Sequence, residues 1–72
     1  MTIEVRARYT FLGSFAFDDI AHKAAGRTSD FGGSGFGERD LGWVVRSELE
    51  AWKMKKALDR VGLKVEIRGL AA

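Results

Sequence analysis

The residues of this chain best suited in type and spacing to hold a phosphate are four glycines, Gly32, Gly33, Gly35 and Gly37. Glycine lets a backbone turn tightly or approach a ligand closely. A phosphate-binding loop also needs a strand before it and a helix after it, so that helix N–H groups face the anion. Here a helix precedes and a strand follows, and Glu38-Arg39 replaces the Lys-Ser/Thr of a P-loop. We therefore predict a hairpin turn or loop and no cofactor.

The single histidine, His22, is the natural candidate for acid–base chemistry. On a helix it comes within reach of Asp18 and Asp19, which predicts a surface ion pair. The serines, Ser14, Ser29, Ser34 and Ser47, are all explained as caps or turns. No group of His, Asp and Glu has the spacing of a metal site. We predict neither catalytic nor metal-binding residues, and hence no enzyme.

Cations alternate along two of the predicted strands and could gather on one face of a sheet. The predicted basic face holds Arg6, Arg8, Arg46, Lys64 and Arg68 against only Glu4 and Glu66, a local charge of +3. Such a face can bind a phosphate backbone or an acidic protein patch. Alternatively, it is a solvated face whose charges prevent sheets from stacking or pairing.

Trp52 is the most unusual residue of the second predicted helix. The apolar side of that helix consists of Ala51, Met54, Ala57, Leu58 and Val61. Leu49 and Trp52 fall off this side, beside Lys53 and Lys56, which is the composition of a protein-binding hot spot. Phe31 and Phe36, on the glycine segment, complete the predicted partner site. The alternative is that the helix rolls or the loop covers Trp52. Trp43 is expected in the core.

The elements that must position these residues follow from periodicity. Strict alternation over Thr2–Tyr9 predicts a strand with one polar face. A helix is predicted over Phe15–Ala25, capped by Ser14 or Asp18. Its predicted apolar stripe is Phe17, Ile20, Ala21 and Ala24. A rival interpretation makes Thr10–Phe17 a hairpin and begins the helix at Asp18.

The second half repeats the strand–helix pattern after a weakly patterned segment, 26–40. This segment is either a Gly-rich loop or a poor edge strand that turns at Gly32–Gly35. The later predicted elements are a strand over Leu41–Arg46, a helix from a capping box at Ser47 to about Val61, a strand over Leu63–Arg68 and a frayed tail over 69–72.

This order, β-α-(β)-β-α-β, predicts one α+β domain over residues 1–72. Strands with one polar face argue against a parallel sheet covered on both sides. Two helices on one face of a small, mostly antiparallel sheet, a ferredoxin-like arrangement, fits best. The second strand is the least certain element.

Composition narrows the function classes only moderately. Twelve basic and ten acidic residues give a net charge of +2, which permits contact with phosphate without requiring it. The sequence has no cysteine, which fits a reducing compartment. No apolar run approaches the ~18 residues of a membrane span, and the first residues form a strand pattern rather than a signal peptide. We expect a soluble, cytoplasmic protein that binds no membrane.

Gly35-Phe36-Gly37 before a strand resembles the RNP1 motif of RNA-recognition motifs over three residues. That resemblance implies base stacking on aromatic rings. However, Glu38 stands where the motif has an aromatic residue, and the outward face of the first strand carries no ring.

Compact chains of this size without cysteines or motifs resemble, in kind, small phage-encoded inhibitors, including anti-CRISPR proteins that block an effector complex sterically. The resemblance covers no specific residues. It implies a non-enzymatic protein that occupies a surface on a larger protein or nucleoprotein partner. The alternative is a nucleic-acid-binding module that uses the basic sheet face. An uncovered sheet edge or an exposed Trp52 could also pair with its own copy, giving a homodimer.

Overall fold

A computed structural model describes residues 2–11 and 14–70, which form a four-stranded antiparallel sheet and two α-helices. The elements are β1 (Thr2–Thr10), α1 (Ala16–Ala25), β2 (Phe31–Gly35), β3 (Glu38–Val45), α2 (Glu48–Arg60) and β4 (Lys64–Leu70). The strand order is β2-β3-β1-β4, and each neighbouring pair is antiparallel. This α+β architecture, with an open sheet, is compatible with a small ferredoxin-like domain.

The core lies on one face of the sheet because the apolar residues of the strands alternate. Ile3, Val5 and Ala7 of β1 pair with Val45, Trp43 and Leu41 of β3, which places all six on the same face. Among the described residues, the buried core consists of Ile3, Val5, Ala7, Ala21, Leu41, Trp43, Val45, Ala51, Met54, Leu58 and Leu63. The prediction that Trp43 belongs to the core is confirmed.

Both helices cover this face and contact each other. α1 contributes only small side chains, with Ala21 fully buried and Ala24 partly buried. The predicted apolar stripe of α1 is therefore only partly right, because Phe17 and Ile20 are each 42% exposed. Neither described helix has the length and apolar character needed to cross a membrane.

The helix ends agree with the sequence only in part. The Ser47 hydroxyl accepts a hydrogen bond from the Glu50 N–H at 3.1 Å, so the predicted cap of α2 is confirmed. α1 has Phe15 at its N-cap position; the Ser14 hydroxyl, one residue earlier, accepts a hydrogen bond from the Ala16 N–H at 3.2 Å, and Asp18 lies inside the helix. Because this helix begins at Ala16, the rival start at Asp18 is wrong; Leu12 and Gly13 lie outside the described residues. Val61 follows α2 and is exposed instead of joining its apolar side.

The glycine segment forms an edge strand, β2, whose residues are all exposed. The chain turns at Phe36 and Gly37, not at Gly32–Gly35. Both residues have positive φ, 52° and 78°, as the tight turns that match strand twist require. β3 consequently begins at Glu38, earlier than predicted.

The C-terminal strand is longer than predicted. Gly69 and Leu70 pair with Ile3 and Thr2 of β1, so these two residues do not belong to a frayed tail. Residues 71 and 72 lie outside the described residues. β4 is the edge of the sheet opposite β2.

Side chains replace a missing strand beside the end of β3. β2 starts only opposite Gly42, which leaves the backbone of Val44 without a strand neighbour on that side. The Arg27 guanidinium donates to the Val44 carbonyl at 2.7 Å, and the Asp30 carboxylate accepts from the Val44 N–H at 2.7 Å. The hydrogen bond from Val44 and the contact with Arg27 lower the pKa of Asp30.

Phe31 of β2 pairs with Gly42 of β3, and its ring lies over Gly42 on the sheet face without helices. This ring leaves no room for a side chain at position 42. A Cβ atom added at Gly42 would overlap ring atoms of Phe31. At Gly33, two pairs further along the same two strands, an added Cβ would meet nothing within 4 Å.

We predict that Gly42→Ala lowers the free energy of unfolding by about 1–3 kcal/mol, because the methyl group displaces the Phe31 ring. The matched control Gly33→Ala should change it by less than about 1 kcal/mol. Urea unfolding followed by circular dichroism measures both. Removing the ring with Phe31→Ala should abolish the extra cost of Gly42→Ala; an unchanged cost would show that the ring is not its cause.

Candidate protein-binding surface

The side of α2 that faces away from the core carries two large apolar residues. Ala51, Met54 and Leu58 are buried and fix the rotation of the helix. Leu49 and Trp52 are consequently left outside, 66% and 56% exposed. The interpretation in which Trp52 is buried is therefore wrong, and the predicted cluster of Leu49 and Trp52 exists as a surface.

Cations flank these two residues. At 100° per residue, Lys53, Lys56 and Arg60 project on the same outward side of α2 as Leu49. Within the described residues, none of the three forms an ion pair. Lys55 differs, because its Nζ lies 2.6 Å from Asp59 Oδ2 and 5.9 Å from the centre of the Trp52 ring. We call Leu49, Trp52, Lys53 and Lys56 the outer stripe of α2.

The indole of Trp52 also forms one wall of an open groove of about 350 Å³ between α2 and β4. The groove is lined by Ile3, Glu48, Ala51, Trp52, Lys55, Ile67 and Gly69. It runs beside the free edge of the sheet. When another strand adds to a free sheet edge, apolar residues beside that edge can form a pocket for its side chains.

The two loop phenylalanines do not join the outer stripe. Phe31 lies on the sheet face without helices, where the Arg6 guanidinium is 5.3 Å from its ring centre. Phe36 occupies the tip of the β2–β3 hairpin with its side chain fully exposed. The residues grouped by the sequence analysis therefore lie on three separate surfaces.

The predicted basic face carries balanced charges. Pairing across the strands places four cations there, Arg6, Arg8, Lys64 and Arg68, with four carboxylates, Glu4, Glu38, Asp40 and Glu66. The expected local charge of +3 is wrong because β3 contributes Glu38 and Asp40, while Arg46 follows the end of β3. Arg6 Nε is 2.6 Å from Glu4 Oε1, and Arg68 Nε is 3.0 Å from Glu66 Oε1.

The polar cluster that sequence reasoning missed joins β1, α1 and β3. The Tyr9 hydroxyl donates to Asp18 Oδ1 at 2.7 Å, and Arg39 Nη2 donates to Asp18 Oδ2 at 2.9 Å. Arg39 also lies over the ring of Phe15, 4.7 Å from its centre. No local pattern reveals this cluster, because Asp18 and Arg39 are 21 positions apart.

These contacts shift two pKa values in opposite directions. Partial burial would raise the pKa of Asp18, but the hydrogen bonds from Arg39 and Tyr9 and the charge of Arg39 outweigh it, so the pKa is lowered. Burial, the hydrogen bond to Asp18 and the charge of its carboxylate raise the pKa of Tyr9 to about 12. The cluster is therefore an ionised carboxylate held by two donors, a structural arrangement.

His22 does not form the predicted ion pair. Its Nε2 lies 3.1 Å from the Ser29 hydroxyl, and its ring meets Trp43 edge-on at 6.2 Å. The Trp43 indole N–H in turn donates to the Arg27 carbonyl at 3.0 Å. Residues 2–11 and 14–70 contain no group of three His, Asp or Glu side chains placed to hold a metal ion.

Comparison with protein-family models, curated proteins and solved structures gave no match for this chain. The surfaces described above therefore carry the functional inference by themselves.

The Asp18 cluster predicts a specific pH dependence of stability. Since the pKa of Asp18 is lowered on folding, its contribution is present above its ordinary value and is lost as pH falls through the lowered value. Asp18→Asn should cost about 2–3 kcal/mol at pH 7 and less in acid. Urea unfolding at several pH values measures this. Asp19→Asn, at the exposed neighbouring residue, should cost little at any pH; equal costs would contradict the assignment.

Phe36 is the one described non-glycine residue with positive φ, 52°. A bulky residue in this region costs roughly 1 kcal/mol, whereas Asn adopts it readily. We predict that Phe36→Asn raises the free energy of unfolding by about 1 kcal/mol, because the exposed ring contributes little burial. Phe36→Ala removes the ring but keeps the unfavourable conformation, so it should give a smaller gain. Thermal unfolding distinguishes the two, and equal effects would exclude backbone strain as the cause.

Proposed function

We propose that this protein is a small non-enzymatic binding module that uses the outer stripe of α2 to occupy a surface on a larger protein or nucleoprotein partner. The observation that carries the proposal is the exposure of Trp52 and Leu49 side by side. Large apolar side chains surrounded by polar residues are typical of interface hot spots. Lys53 and Lys56 favour a partner surface with carboxylates or phosphates around an apolar centre.

The surroundings of His22 support the non-enzymatic part of this proposal. The ring contacts the buried Trp43 and a serine that belongs to the loop before β2. Inhibition by steric occupation, as in a phage-encoded inhibitor of the anti-CRISPR kind acting in the cytoplasm, is the form of activity we propose for such a module.

The exposed phenylalanines define which contacts are secondary. Phe36, at the hairpin tip, can reach a partner independently of α2. Phe31 packs over Gly42 and beside Arg6, so it is less available. We therefore assign the outer stripe as the main contact and Phe36 as an auxiliary one.

The test is capture of the partner from a lysate of the native host by the immobilised protein, followed by mass spectrometry and affinity measurement. Trp52→Ala should weaken binding of the captured partner at least tenfold, since hot-spot truncation costs about 2 kcal/mol or more. Ile20→Ala is the matched control, because Ile20 is also an exposed apolar helix residue, on α1. Unchanged binding by both Trp52→Ala and Leu49→Ala would exclude the outer stripe.

Nucleic-acid binding through the open sheet face is the second candidate. It is favoured by the position of Phe31, whose ring lies beside Arg6 on a face that also holds Arg8 and Lys64. Aromatic rings and cations on an open sheet can stack bases and contact phosphates. The equal number of carboxylates on this face makes it the weaker candidate. Here Phe31→Ala and Arg8→Ala, but not Trp52→Ala, should reduce binding of a single-stranded oligonucleotide, and binding should fall steeply with salt.

A further inference from the structure

We infer that β4 pairs with β4 of a second copy of this chain, joining two four-stranded sheets into one continuous sheet. β4 is an edge strand of seven residues, with β1 on one side and, in the part of the chain that the structure describes, no strand on the other. Alternate N–H and C=O groups of an edge strand point away from its neighbour and can pair with another strand. This inference goes beyond the proposed function and does not rest on it.

The register of this pairing follows from full overlap of the two strands. When β4 runs antiparallel to its own copy over its whole length, Ile67 meets Ile67 at the two-fold axis. Glu66 then lies opposite Arg68 of the second copy, and Arg68 lies opposite its Glu66. Directly opposite residues of unlike charge stabilise an antiparallel pair. The register that pairs the most residues is thus also complementary in charge.

The side chains involved are free to make this contact. Glu66 and Arg68 are 47% and 51% exposed, and they contact each other through one guanidinium nitrogen and one carboxylate oxygen. Each has further donors or acceptors for a second partner. If the register shifts by two residues so that Glu66 takes the axis position, Lys64 lies opposite Arg68 and Glu66 lies opposite Glu66 of the second copy. Both of these pairs carry like charges.

The helix-covered side of the strand is also complementary to itself. The same register sets Val65 opposite Gly69, and a Cβ atom at Gly69 would meet nothing within 4 Å. Gly69 and Ile67 line the groove beside Trp52, so Val65 of the second copy enters an apolar space. Val65 of the second copy thereby covers the side of the Trp52 indole that faces the groove.

The helices also fit the two-fold arrangement. α2 packs on both β1 and β4. With strands about 4.8 Å apart, two α2 helices related by the axis lie roughly 10 Å apart, a packing distance for helices. Glu48 and Lys55 both line the groove beside Trp52, so the two-fold arrangement brings charges of both signs to the contact between the helices. Leu49, Lys53 and Lys56 remain outward in both copies.

The other edge of the sheet offers no such match. β2 consists of Phe31 followed by glycines and one serine, and all its residues are exposed. Its side chains carry no charge that could select a register. β4 is therefore the edge that specifies its own partner.

Sedimentation velocity over a range of concentrations tests the inference. The wild type should sediment as a species of twice the 8.0 kDa chain mass. Glu66→Arg alone and Arg68→Glu alone each place like charges opposite each other twice, so each should self-associate at least about tenfold more weakly. An equimolar mixture of the two variants should form a heterodimer, because both opposing pairs become unlike again.

Restoration by mixing separates this contact from any effect of the variants on folding, which circular dichroism also monitors. A wild type that remains monomeric at all concentrations, or variants that dimerise like the wild type, would overturn the inference. So would monomeric variants whose mixture stays monomeric. The outer stripe is unchanged in these variants, so loss of the dimer with partner capture retained would leave the proposed function standing.

Discussion

The burial of a single large side chain, the indole of Trp43, organises the structure. Trp43 is the one aromatic residue of the described core and is completely buried. Its indole N–H donates a hydrogen bond to the Arg27 carbonyl, and its ring contacts His22 of α1 edge-on. Its position opposite Val5 determines which residues of β1 and β3 point into the core. Since side chains alternate along a strand, placing Trp43 inward forces Gly42 and Val44 outward. The burial of Trp43 therefore also determines which residues of β3 lie on the sheet face without helices.

A small core explains why so many aromatic rings are outside. Alanines at positions 7, 21 and 51 are buried beneath and between the helices, which lets α1 and α2 approach each other and the sheet closely. Little volume remains for larger residues. Phe15 and Phe17 therefore lie at the margins, where they contact Arg39 and Tyr9 respectively. Short chains bury a smaller fraction of their surface, and here the unburied remainder includes several large apolar side chains.

The sequence predicted what depends on local periodicity and failed where contacts are distant. The sequence correctly predicted the alternation in β1 and β4. It also predicted the Ser47 cap and the buried positions 51, 54 and 58 of α2. The start of β3 was not predicted, because Glu38-Arg39-Asp40 carries no apolar alternation and becomes a strand through pairing with β1 and β2. For the same reason, the sequence did not show that Asp40 lies beside Arg8 on the predicted basic face. Exposure of Trp52 was an open alternative, since it depends on how α2 rotates over the sheet.

The two surfaces that we propose for binding arise from one geometric fact: two helices cannot cover both the face and the edges of a four-stranded sheet. α2 lies over β1 and β4 rather than beyond them, so the edge of β4 stays free and Trp52 overhangs it. An edge strand with an apolar groove and alternating charges is a template for a specific strand, whereas Gly-rich β2 is not. Leu49 and Lys53 point away from that edge, whereas Trp52 borders both surfaces, so the proposed self-pairing and partner binding share the indole. Leu49, Lys53 and Lys56 stay outward in the proposed dimer, which would therefore present these three residues twice and raise its avidity for any partner with two copies of its own site.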